Sequence, residues 1–160
     1  MKKTIIVVLA LVLLLAGTTA CDLFSGVKTV DWENGTITVS SAELSPAKTV
    51  PSGEFYNESF FGARPVMQAF KFEANGDWHF TITISGEIGT KVEVYTFFEL
   101  RGGPADGYGY DYVFTLEEET VTVSRDRLMA EGQEPPVNVK VKVLSDTLIS
   151  WEMVIEEIVE

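Results

Sequence analysis

Strict alternation of apolar and polar side chains on both sides of Asn75-Gly76 limits what this chain can fold into more than any other feature. Phe70, Phe72 and Ala74 alternate with Lys71 and Glu73, and Trp78, Phe80, Ile82 and Ile84 alternate with His79, Thr81 and Thr83. A period of two puts one set on each face of an extended chain, so these segments read as half-buried antiparallel strands. Asn-Gly between two such runs is a strong short-range hairpin signal.

The pattern recurs along the chain. Val30 and Trp32 meet Thr36, Ile37 and Val39 across Glu33-Asn34-Gly35, a second Asn-Gly hairpin signal. Residues 90–100 are less regular, with Val92 and Val94 on one face, Tyr95 and Phe97 on the other, and Phe98 shifting the phase. A bulge or burial of both faces explains such a strand. Further strands are expected over Tyr110–Leu116, Thr120–Ser124, Val137–Leu144 and Thr147–Ile155. At most one short helix is expected after the N-terminal segment, over Arg125–Glu131, with Ser124 as N-cap, Gly132 as terminator and Pro135-Pro136 blocking continuation.

The fold class is therefore all-β. Eight to ten antiparallel strands with one apolar face must close on themselves or stack as two sheets, because an open sheet of that length leaves its edges bare. Short hairpins between successive strands favour an antiparallel meander closing as a β-barrel, with a β-sandwich as the alternative.

The N-terminus carries an address. Lys2 and Lys3 precede an unbroken apolar run from Ile5 to Leu15, and Ala16-Gly17-Thr18-Thr19-Ala20 is a small-residue stretch ending at Cys21. These are the parts of an export signal, and the run is shorter than the roughly 20 residues of a spanning helix. Thr18-Thr19-Ala20-Cys21 resembles the lipobox of bacterial lipoproteins, which implies lipidation of Cys21 and cleavage before it. Residues 1–20 are then a signal peptide, 21–27 the lipidated cysteine with a short tether, and 28–160 a single all-β domain. Asp22 to Val27 span at most about 20 Å, which holds the domain near the headgroups. The expected location is the cell membrane, on the exported side.

The hairpin succession from Phe70 to Ile155, ending in Val143-Leu144-Ser145-Asp146-Thr147-Leu148, looks like the small lipocalin-like lipoproteins of bacteria. That resemblance implies a lipocalin-like barrel, a calyx with an internal site for a small apolar ligand.

Charge and residue usage exclude several functions. The 160 residues carry 24 acidic against 12 basic side chains, a net charge of −12, and losing Lys2 and Lys3 with the signal takes it to −14. Nucleic-acid binding needs the opposite sign, and so does electrostatic adhesion to an anionic bilayer. The membrane partner is reached through lipid instead. One cysteine permits no internal disulfide, so the core is built from apolar burial, and all three Trp and all ten Phe follow Cys21. One histidine, His79, on the solvent side of its strand, leaves no catalytic triad and no multi-histidine metal site. No enzyme activity, metal or cofactor is expected.

Binding candidates remain. The segment from Arg101 to Tyr112 combines glycines with Tyr108, Tyr110 and Tyr112 on alternate positions, and an extended chain projects all three rings on one face. Such amphipathic rings suit contact with a sugar, a peptide or a partner protein, while a core-facing strand start explains Tyr110 and Tyr112 equally well. Asp106 and Asp111 flank this loop as oxygen donors without the spacing of an EF-hand. Glu117-Glu118-Glu119 reads as a solvated turn. The functional expectation is a membrane-anchored, non-catalytic barrel binding a small apolar or amphipathic ligand. The alternative is an envelope module that contacts another protein or a glycan.

Overall fold

The computed structural model describes residues 27–44, 46–49, 65–99, 111–129 and 134–159. Residues 1–20, Cys21, Tyr108 and Tyr110 lie outside them. Ten strands run in chain order as β1 (Lys28–Thr29), β2 (Thr36–Ser40), β3 (Lys48–Thr49), β4 (Val66–Ala74) and β5 (Trp78–Ser85), then β6 (Lys91–Glu99), β7 (Tyr112–Thr115), β8 (Thr120–Arg127), β9 (Val137–Ser145) and β10 (Ser150–Glu157). They form two sheets, one ordered β1-β4-β9-β6-β7 with β3 also on β4, the other β2-β10-β5-β8. Among the described residues only β1 on β4 pairs in parallel.

The sheets do not close into a barrel; they face one another across a shared core. Successive strands pass between them: β4 pairs with β9 in the first sheet, while β5 pairs with β10 and β8 in the second. Asn75-Gly76 is therefore a corner between layers, where the sequence suggested a hairpin. The same holds for Ser145-Asp146 between β9 and β10. Alternation reports which face of a strand is buried, and two strands on opposite walls of one interior show the same alternation as two neighbours. Asn34-Gly35 does make the tight turn, with φ of 54° and 77° and a reciprocal Glu33–Thr36 backbone pair. Its flanks then separate: Val30 donates to Lys71 on β4, while β2 joins β10.

The interior is filled. Phe70 and Phe72 from the first sheet meet Trp151 and Trp78 from the second at ring-centroid distances of 6.2 and 5.3 Å. Ile37, Val39, Phe80, Ile82, Ile84, Val92, Val94, Val139, Val141, Met153 and Ile155 complete this core, each at most 1 % exposed. Side chains of this kind contribute roughly 1.5–3 kcal/mol each on burial. They occupy the space that a lipocalin-like calyx would keep for its ligand.

Two local expectations also change or resolve. Arg125, Asp126 and Arg127 continue β8 opposite Phe80, His79 and Trp78, where a helix was expected; pairing along β5 outweighs the N-cap signal at Ser124. The irregular strand is β6, unbulged and in continuous register with β9 from Val92↔Ser145 to Glu99↔Asn138. Both of its faces are buried: Val92, Val94 and Thr96 point into the core, while Glu93 and Tyr95 lie on the outer face beside Leu144.

Candidate functional site

Among the described residues, one side of the sandwich is open: β7 pairs only with β6 and β8 only with β5, so each ends its sheet. The connection through Leu116–Glu119 brings the two edges together, and between them lies an open cleft of about 690 Å³. Val113, Phe114, Val121 and Val123 give it apolar walls, and Glu117 and Glu118 stand at one end.

The direction of each backbone group follows from the ladders. Gly86 N–H donates to Glu119 C=O at 3.0 Å, so residues 119, 121, 123 and 125 aim their backbone groups at β5. Thr120, Thr122, Ser124 and Asp126 then aim theirs away from the sheet. Likewise Leu116 N–H donates to Thr90 C=O at 2.8 Å, which turns the backbone groups of Val113 and Thr115 away from β6. Both lips of the cleft are thus strand edges with outward amides and carbonyls. The hydroxyls of Thr120 and Thr122 are occupied by Ser85 and Thr83, at 2.9 and 3.0 Å.

Tyr112 closes one end. Its ring packs edge-on against Phe80 at 6.2 Å and 81°, and its hydroxyl donates to the outward carbonyl of Ser124. Of the tyrosines expected to make contacts, the described one joins the two sheets and still lines the cleft.

The neighbouring Asp111 is 8 % exposed. Its carboxylate accepts from the Thr96 amide at 2.6 Å and from the Thr96 hydroxyl, and lies 3.4 Å from Arg127 and 3.6 Å from Arg125. Arg125 also donates to the Asp111 carbonyl and Arg127 to that of Thr96, both at 3.1 Å. The Arg127 guanidinium lies 6.0 Å from the centre of the Phe98 ring, and its buried Nε has no hydrogen-bond partner among the described residues. Burial pushes the Asp111 carboxyl above its ordinary value, against the downward pull of Thr96, Arg127 and Arg125. A cation-binding role does not fit a carboxylate facing two guanidinium groups. The cluster fastens the chain entering β7 to the end of β8.

A second buried acid lies on the outer face of β6. Glu93 is fully buried; one carboxyl oxygen accepts from the Tyr95 hydroxyl and the other has no hydrogen-bond partner among the described residues. Burial raises its carboxyl above the ordinary value, with Tyr95 pulling it down. The sequence signal was its position between Val92 and Val94 in a strand apolar on both faces. Arg125 and Arg127 fall within the helix that the sequence suggests, so their partnership with Asp111 carries no sequence signal. His79 is half-buried, its Nδ1 2.6 Å from Asp126, and Glu117–Glu119 form an exposed bend as expected.

No protein-family model matches the chain, and no curated protein matches it. Among solved structures, the pre-peptidase C-terminal domain of a collagenase from Bacillus anthracis is similar over 81 % of this chain and 94 % of its own, at 9 % identity and a TM-score of 0.39. The C-terminal CBM6 of LamC from Zobellia galactanivorans is similar over 76 % of this chain and 99 % of its own, at 12 % identity and a TM-score of 0.39. The enzymatically active domain of tailspike protein 4 of bacteriophage CBA120 is similar over 82 % of this chain and 17 % of its own, at 11 % identity and a TM-score of 0.39. Similarity at this level assigns neither a ligand nor a reaction.

Proposed function

We propose that this chain is an exported, lipid-anchored interaction module, a non-catalytic β-sandwich that contacts another macromolecule of the cell envelope through its open side. The observation that carries this reading is the cleft between β7 and β8, which has apolar walls and is bounded by two strand edges whose backbone groups point away from their sheets. A store for a small apolar ligand needs a lumen, and Phe70, Phe72, Trp78, Phe80, Ile82 and Met153 fill the interior instead. The address rests on the sequence: lipid on Cys21 holds the exported domain at the membrane, and β1 begins at Lys28, only a short tether away.

Hydrogen–deuterium exchange tests the reading. The full chain in detergent is compared alone and after mixing with an envelope extract of the expressing bacterium. Slowed exchange over Thr120–Ser124 and Val113–Thr115, with the core strands unchanged, is the expected result. Protection confined to the core, or none at all, counts against a macromolecular contact at this side.

A further inference from the structure

We infer that the cleft takes an extended, basic-ended peptide segment of a partner protein as an added strand on β8. The inference deepens the reading of the open side as a contact surface and rests on it. Between Thr120 and Ser124 the edge of β8 has no proline, no lysine and an unbroken register with β5, so it lacks three of the devices that keep strand edges apart. The outward N–H and C=O of Thr120 and Thr122 and the outward N–H of Ser124 offer ladder positions that no backbone group among the described residues uses. Main-chain bonds of this kind hold added strands in peptide-binding domains, while pockets for alternate side chains select the sequence.

The surroundings specify the occupant. A strand added to β8 presents alternate side chains to the apolar walls at Val121, Val123 and Phe114, so those positions take apolar residues. The intervening side chains extend the hydroxyl-bearing outer surface of Thr120 and Thr122 and suit polar residues. The charged walls are both acidic, Glu117 and Glu118, at the end where β8 begins. In the antiparallel sense, which bonds somewhat better, the added strand runs from Ser124 towards Thr120. Its basic residues therefore follow its apolar ones. Tyr112, bonded to the Ser124 carbonyl, marks where the segment enters.

The test titrates the full chain in detergent with synthetic acetyl-Val-Thr-Val-Thr-Lys-Lys-amide, its Glu-Glu counterpart, and the version with the lysines first, reading amide NMR shifts and affinity. The expected result is a shift confined to residues around Thr120–Ser124 for the first peptide, with affinity at least about tenfold below it for the other two. Thr122→Pro removes an outward N–H unused among the described residues, together with the exposed hydroxyl bond to Thr83; on an edge strand it is expected to preserve the circular-dichroism spectrum and abolish binding. Glu117→Gln with Glu118→Gln leaves the backbone untouched and weakens the lysine peptide about tenfold or more, which keeps the test decisive if the proline variant misfolds. Equal binding of the three peptides, wild-type affinity in Thr122→Pro, or no binding overturns strand addition. So does self-association of the chain through β8 that displaces the peptide. Protection of the open side by envelope extract without peptide binding removes strand addition alone, whereas loss of both removes the module reading.

Discussion

The hydroxyl of Tyr112, on the edge of one sheet, donates to the backbone carbonyl of Ser124, on the edge of the other. With Asp111 beside it, this bond is where the two layers are fastened on their open side. Beyond it, the outward backbone groups of Thr120 and Thr122 have no backbone partner among the described residues.

Tyr112→Phe keeps the ring against Phe80 and removes only the bond between sheets, which costs about 1 kcal/mol. Tyr112→Ala also removes the ring and costs about 3 kcal/mol. Urea denaturation measures both; a Phe variant as stable as the parent would show that the hydroxyl does not join the layers.

Asp111→Asn leaves the buried Thr96 donors a weaker acceptor and deprives Arg127 and Arg125 of their counter-charge. The expected cost is about 3 kcal/mol. Arg127→Met introduced into the Asn variant restores part of it, whereas Arg125→Met alone costs below about 1 kcal/mol because that side chain is half in water. A double variant that loses the full sum of the single changes contradicts the coupling.

Glu93 sets a pH dependence of definite sign. Burial raises its carboxyl above the ordinary 4.5, so between the unfolded and folded values the native state holds a proton that the unfolded chain has released. The stability it contributes is full below the unfolded value and is lost as pH rises through the folded one. Glu93→Gln removes that slope and is more stable than the parent at pH 8. Thermal unfolding measured across this range checks it, and an unchanged slope in the variant rejects it.

Cys21→Ala tests the address independently of the fold. The variant is expected to leave the membrane fraction and to incorporate no labelled fatty acid. Retention in the membrane, or an unmodified thiol in the parent by intact mass, contradicts lipid anchoring.

Strand positions and buried faces were legible in the sequence because alternation depends only on which side of a strand meets water. Trp78, Phe80, Ile82 and Ile84 are buried and His79, Thr81 and Thr83 are partly exposed, as the pattern requires. Pairing partners were not legible. Asn75-Gly76 suits a hairpin and a corner equally, and choosing between them depends on β9 and β10, which lie more than 60 residues further along. That ambiguity favoured a barrel over the alternative sandwich, and the lipocalin-like resemblance added the expectation of a calyx where the interior is filled. The open side was visible only in part: Tyr112 and Asp111 stood out beside the glycines, but their partners Ser124, Arg125 and Arg127 were hidden in an expected helix and its cap.

Photo-crosslinking in living cells tests the central claim most directly. A photoreactive residue at Thr122, on the edge of β8, is compared with one at Thr38 on β2, the opposite edge of the same sheet. The expected result is a discrete protein adduct from position 122 that is missing from position 38 and disappears when Glu117 and Glu118 are changed to Gln. Equal labelling from both edges, or no adduct from position 122, would contradict the account.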